Sequence, residues 1–165
     1  MSIDIRLVRI DDRLIHGQVT TAWAKHLDLN RILVVSDEAA NDPMRKFLLE
    51  QAAPAGIRAH VLTIQKTLDI FSSMLLNGEK VAILFTNPQD VEKLVRHGLK
   101  VPTINIGGMR FVNNKRMLTN FVSVDDKDIE SFKYLSEQGI RLELRKVPSD
   151  HSVNLMDLLK KESFL

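Results

Sequence analysis

Cysteine is absent from the chain. Disulfides, zinc–thiolate sites and thiol nucleophiles are thereby excluded, and the composition fits a reducing compartment. An excess of one charge is missing too: 23 Lys and Arg stand against 21 Asp and Glu, a net +2. A nucleic-acid binder usually carries a strong basic excess on one face, so nucleic acid is not expected as a partner. No apolar run reaches the roughly 18 residues that cross a bilayer, and the start, Met-Ser-Ile-Asp-Ile-Arg, has no apolar signal-peptide region. These absences predict a cytoplasmic protein. There is no internal repeat, linker, low-complexity stretch or metal-ligand motif, so no metal or cofactor is expected. What remains is ordinary globular material, 44% hydrophobic and 27% charged. It suits a single domain over residues 1–165 that buries roughly two thirds of its unfolded surface.

Strand-like and helix-like segments alternate. Strands are predicted at 3–10, 31–36, 57–62, 80–85, 102–106, 121–124 and 140–147, most of them Val/Ile/Leu-rich. Helices are predicted at 17–27, from Pro43 to about Ala53, from Ile64 to about Leu76, from Pro88 to His97, from Asp125 or Asp126 to Gln138, and from about Ser152 to Lys161. Asp42-Pro43 and Asn87-Pro88 are cap-plus-proline starts, and Asn77-Gly78, Gly98 and Gly139 are stops. Alternation with buried strands predicts an α/β fold of three layers, a mainly parallel sheet with helices on both faces. The connection from Gly107 to Asn120 reads as a hairpin or a mobile flap.

In open α/β sheets ligands bind beyond the carboxyl ends of the strands. The residues there are Asp11, Asp12, Arg13 and His16 after the first strand, Ser36 and Asp37 after the second, Thr86 and Asn87 after the fourth, and Asn105, Gly107 and Gly108 after the fifth. The densest group lies in residues 9–19, Arg-Ile-Asp-Asp-Arg-Leu-Ile-His-Gly-Gln-Val, where a strand passes into a helix. A helix start offers free N–H groups and partial positive charge to an anion. A neutral imidazole is a competent nucleophile near pH 7, provided one ring nitrogen is free and the other holds the proton. Asp11 or Asp12 can accept that proton's hydrogen bond. A phosphoryl group in transfer needs positioning and cations, which Arg9 and Arg13 offer as forked guanidinium groups. Gly107-Gly108 would let backbone N–H groups approach a phosphate with no side chain in the way.

Plainer readings compete. His26, His60, His97 and His151 read as structural or simply exposed, and Trp23 as core packing. Arg9 and Arg13 could pair with Asp11 and Asp12 in a solvated cluster worth under about 1 kcal/mol per pair. Gly107-Gly108 could be a turn, and Ser36-Asp37 a helix cap. Two other function classes are open: a nucleotidyltransferase, whose His-x-Gly-His motif His16-Gly17 matches only in part, and a non-catalytic module that binds a phosphorylated ligand at the same rim.

Residues 9–19 closely resemble the signature of the IIB component of the mannose/fructose/sorbose family of the bacterial phosphoenolpyruvate-dependent sugar phosphotransferase system (PTS). Leu84-Phe85-Thr86-Asn87-Pro88 and Asn105-Ile106-Gly107-Gly108-Met109 look like two further family blocks, and length and pattern match along essentially the whole chain. The resemblance implies a seven-stranded, mostly parallel sheet with one antiparallel strand. It implies a relay in which a phosphohistidine on an EIIA component phosphorylates His16. The group then passes to a sugar delivered by the membrane components EIIC and EIID, making the chain a protein-Nπ-phosphohistidine–sugar phosphotransferase, peripherally associated with its permease. By the same resemblance the phosphoryl group is attached through Nδ1, and Arg13 contacts it. His16, Arg13 and Asp11 form the predicted catalytic set; Arg9, Gly17, Gln18, Ser36, Thr86, Gly107 and Gly108 are the phosphate-binding candidates. A homo-oligomer is compatible with the sequence, which names neither its order nor the sugar.

Overall fold

Continuous apolar runs such as Arg31-Ile-Leu-Val-Val and Lys80-Val-Ala-Ile-Leu-Phe leave no polar face to meet water, so their strands sit inside the sheet with both sides covered. The computed structural model describes residues 3–165; Met1 and Ser2, which open the expected domain, lie outside the described residues. The elements run β1 (Asp4–Asp11), α1 (Gly17–Leu27), β2 (Arg31–Val35), α2 (Asp37–Ala40), α3 (Pro43–Gln51), β3 (Arg58–Leu62), α4 (Ile64–Ser72), β4 (Lys80–Phe85), α5 (Pro88–Arg96), β5 (Thr103–Gly108), β6 (Arg116–Met117), β7 (Ser123–Val124), α6 (Asp126–Glu137), β8 (Arg141–Leu144), β9 (Val153–Asn154) and α7 (Leu155–Lys161).

Seven strands form one sheet in the order β3-β2-β4-β1-β5-β8-β9. All neighbours are parallel except β8 and β9. The seven-stranded, mostly parallel sheet with one antiparallel strand is therefore present. Its antiparallel member comes from Val153-Asn154, which was expected to be helical. The expected strand at 121–124 is not in this sheet. Its last two residues pair antiparallel with Arg116-Met117 in a separate ribbon, so the 107–120 connection is a hairpin rather than a loose flap. A four-residue helix, α2, is too short to leave a periodic signal. The expected helix 64–76 ends at Ser72 and gives way to turns.

Side-chain alternation along β1 divides the two core layers. Val8 and Ile10 point into a layer with Val91 and Leu94 of α5, Phe132 and Leu135 of α6, and Leu155 and Leu159 of α7. Leu7 faces the other way, towards Ala24 of α1, Ala39 of α2 and Leu49 of α3. The connection leaving β1 runs to one side of the sheet, and the connection leaving β4 crosses to the other. The carboxyl end of β1 is therefore at the switch point where open sheets bind ligands.

Candidate functional site

Strand alternation puts Arg9 and Asp11 on the same sheet face as Leu7, beneath α1. On β5 the register sets Arg9 beside Asn105 and Asp11 beside Gly108. On β8 it sets Asn105 beside Glu143. The polar residues of three adjacent strands thus collect on one face. Asp11 is their centre, with a side chain fully shut off from solvent, 0% exposed. Its Oδ2 accepts from Arg9 Nη2 at 3.0 Å, Arg13 Nη2 at 3.0 Å and His16 Nε2 at 3.0 Å. Its Oδ1 accepts from the Arg13 backbone N–H at 3.1 Å and from Arg13 Nε at 3.0 Å. Burial alone would raise the Asp11 carboxyl, but the hydrogen bonds from Arg13, the charge of Arg9 and the bond to His16 together hold it below its ordinary value. Arg13 is raised in turn by its bond to Asp11. Arg9 is lowered by burial, with Asp11 opposing.

This geometry chooses the tautomer of His16. An ionised carboxylate only accepts hydrogen bonds, so Nε2 carries a proton, and in the neutral ring Nδ1 carries the free lone pair. Among the described residues Nδ1 has no hydrogen-bond partner, and no buried side-chain nitrogen or oxygen lacks one, so Nδ1 reaches solvent. The His16 side chain is 22% exposed. Buried Leu14 and Ile15 anchor the loop beneath it. Leu14 has φ 60°, a left-handed conformation rare for a branched residue, and Gly17 follows with φ 46°. His16 occupies the N-cap of α1, yet its side chain caps nothing and no acidic residue lies in the first turn. Among the described residues the other six helices are capped by Ser36, Asp42, Thr63, Asn87, Asp125 and Asn154. The N–H groups of Gly17 and Gln18 are thus left at an uncapped, positive helix end beside the imidazole.

The remaining candidates fall in different places. Arg9 does not face the solvent as a phosphate ligand would. It is 3% exposed and spends its guanidinium on Asp11, on Asn105 Oδ1 and on the Arg145 carbonyl. A side chain on Gly107 would collide with that guanidinium, and one on Gly108 would lie 3.2 Å from Arg13 Nη2 and from Asp11 Oδ1. The expectation that Gly107 clears space for a phosphate is thus corrected: it clears space for the Arg9 guanidinium, while Gly108 lines an open cleft beside Asp12 and Arg13. Asn105 and Gly107 also lie within β5 rather than past its end, because the strand runs on to Gly108. Ser36 uses its hydroxyl to cap α2, accepting from the Ala39 N–H at 3.1 Å. Thr86 accepts from Asn87 Nδ2 at 2.9 Å. Ser36 and Thr86 line a polar cleft of about 230 Å³ with Asp12, Arg45, Arg110 and Lys115, and none of these hydrogen bonds joins the His16 network. Asp12 does not orient the histidine; its Oδ2 accepts from the Arg110 N–H at 2.7 Å and ties down the hairpin.

Several participants carried little sequence signal. Thr20 accepts from the His16 N–H at 2.9 Å from one turn along α1. Trp23 is buried, but its ring also lies 5.5 Å from the Arg9 Cζ and 5.6 Å from the Arg145 Cζ. Glu143 on β8 and Arg145, just past the end of that strand, are far away in sequence. An asparagine inside the apolar run Thr103-Ile-Asn-Ile was the one available hint. Among the described residues no cluster of His, Asp and Glu could hold a metal, and no helix is long and apolar enough to cross a membrane.

A family model described as the sorbose subfamily IIB component of the PTS matches residues 5–165. The mannose-specific EIIAB component of Escherichia coli (strain K12) is 52% identical over 157 residues, 95% of this chain, and the chain spans only 49% of that curated relative's length. The sorbose-specific EIIB component of Klebsiella pneumoniae is 44% identical over 162 residues, covering 98% of this chain and 99% of that protein. In three dimensions the chain matches the crystal structure of the IIBSor domain of the K. pneumoniae sorbose permease with a TM-score of 0.95 and 44% identity, over 99% of this chain and 100% of that one.

Proposed function

Because this chain belongs to the sorbose subfamily of PTS IIB components, which serve phosphotransfer in sugar uptake, we propose that His16 is its phosphoryl carrier, loaded through Nδ1 by an EIIA phosphohistidine and discharged onto a sugar held by the membrane components. One observation carries the reading. Buried Asp11 grips Nε2 of His16 at 3.0 Å, which leaves Nδ1 as the free nucleophile at an uncapped helix start. As Nδ1 attacks phosphorus, the donor's P–N bond breaks and its imidazole keeps the electron pair. The His16 ring becomes cationic, and the Asp11 carboxylate facing Nε2–H stabilises that charge. The phosphoryl charge meets Arg13 and the first N–H groups of α1. Discharge reverses these bonds. A sugar hydroxyl oxygen attacks phosphorus, its proton leaves to a base on the acceptor side, the Nδ1–P bond breaks, and the starting tautomer returns. An exposed carrier relies on its partner to exclude water while the two are docked.

The test is labelling with phosphorylated EIIA from the same system. Wild-type protein is expected to take up acid-labile, base-stable phosphate, and a folded His16→Ala variant none. Labelling of that variant at the wild-type rate would refute the assignment. The two other classes weighed on the sequence, a nucleotidyltransferase and a passive phospho-ligand module, have no observation in their favour.

A further inference from the structure

Two guanidinium groups share the buried Asp11 carboxylate, and they are not equivalent. The Arg9 side chain is 4% exposed and the Arg13 side chain 49%. Arg9 is closed in by the Trp23 ring and by Asn105, which is itself fixed through Nδ2 to Glu143 Oε2 at 3.2 Å and to the Arg145 carbonyl at 3.1 Å. The missing side chain of Gly107 makes the slot in which the Arg9 guanidinium lies. Among the described residues the Arg13 guanidinium bonds to Asp11 alone.

If Arg13 turns towards a phosphoryl group, its fork leaves Asp11. A buried carboxylate that loses a counter-ion is driven to take up a proton. Protonated Asp11 would donate to Nε2 instead of accepting from it. That moves the ring proton to Nδ1 and removes the nucleophile. The site works as a carrier only if something else compensates Asp11 while Arg13 is away.

We propose that Arg9, held by Asn105 over Gly107, is a positioning residue: the fixed counter-ion that keeps Asp11 ionised and aimed at His16 Nε2 while Arg13 moves between Asp11 and the phosphoryl group. The proposal rests on His16 being the acceptor, and its test separates the two ideas. The tautomer of ring-labelled His16 is read by two-bond proton–nitrogen correlation in unphosphorylated protein, and loading from phosphorylated EIIA is measured alongside. Arg13→Gln is expected to keep the Nε2–H tautomer, because Arg9 suffices. Adding Arg9→Gln to Arg13→Gln is expected to raise the other tautomer by roughly tenfold or more, the equivalent of one pKa unit of lost differential stabilisation, and Arg9→Lys in its place to restore part of the loss. A merely structural Arg9 would lower the melting temperature and leave the tautomer alone. Loss of the Nε2–H tautomer in Arg13→Gln alone, or its retention in the folded double variant, overturns the proposal. Should the double variant not fold, Asn105→Ala with Arg13→Gln decides by the same criterion. Failure of wild-type protein to accept phosphate at His16 would sink the carrier reading instead, with the tautomer measurement still judging Arg9.

Discussion

Asp11→Asn keeps the shape of the central side chain and removes its charge. Arg9 would then be buried without its counter-ion, and breaking a buried ion pair from one side costs about 3–5 kcal/mol. A domain of this kind has about 5–15 kcal/mol in hand, so the variant is expected to fold at 25 °C with a clearly lower melting temperature. The chemistry should change more. An asparagine amide turned towards Nε2 donates where the carboxylate accepted, and so favours the proton on Nδ1. A hydrogen bond to a charged group contributes about 1.5–3 kcal/mol, so the useful tautomer should fall by roughly 10- to 100-fold, and loading with it. Single-turnover transfer from phosphorylated EIIA, below the melting transition, measures this. A pH signature accompanies it. The folded Asp11 carboxyl lies below its ordinary value, held there against burial by Arg13, Arg9 and His16, so its ionisation stabilises the fold above the unfolded value of about 3.9 and stops doing so as pH falls through the lower folded value. The stability gap between wild type and variant, measured by urea unfolding, should therefore be full at pH 7 and close on the acid side. A folded Asp11→Asn protein that loads at the wild-type rate, with a gap that does not vary with pH, would refute the reasoning.

Three other perturbations probe separate parts of the site. Arg13→Ala should slow loading by roughly 10²-fold, the loss of one positioned transition-state donor, and unchanged single-turnover kinetics would remove Arg13 from the chemistry. Gly107→Ala puts a methyl group where the Arg9 guanidinium lies; slowed loading together with a lowered melting temperature is expected, and a neutral result would mean that the slot is not needed. Lys115→Met strips the ion-pair partner, 2.9 Å away, from Asp128, whose side chain is 3% exposed and keeps hydrogen bonds from Gln89 Nε2 and the Asp125 N–H. A loss of about 3 kcal/mol in urea unfolding and faster amide exchange across residues 109–120 are expected, with loading by EIIA as the functional readout.

Most of the framework was legible because its signals are local. Proline after Asp42 and after Asn87, and apolar runs at 31–35 and 80–85, act within a few residues, and the structure puts α3, α5, β2 and β4 where those signals point. The eleven-residue block around His16 was legible for the same reason. What escaped depends on pairing between distant segments. Arg9 reads as a surface cation until the register beside Asn105 buries it. Gly107 reads as a phosphate cradle until a side chain from another strand fills the space. Val153-Asn154 is too short to announce itself as a strand and pairs only because β8 has a free edge.

The same two-residue period that builds the core also builds the site. On β1, Val8 and Ile10 go to one layer while Arg9 and Asp11 go to the other; on β5, Ile104 and Ile106 go with the first pair, and Asn105 and Gly107 with the second. A one-residue slip of either strand would bury the charges among α5 and α6 and expose the isoleucines, so core packing fixes the register of the polar network at no separate cost. That rigidity is what the proposed carrier needs. His16, with its side chain 22% exposed, depends on what lies behind it for orientation. A carboxylate with five donors, on a strand locked by its apolar alternate residues, supplies that orientation from the buried side and leaves Nδ1 clear for the partners of the proposed relay.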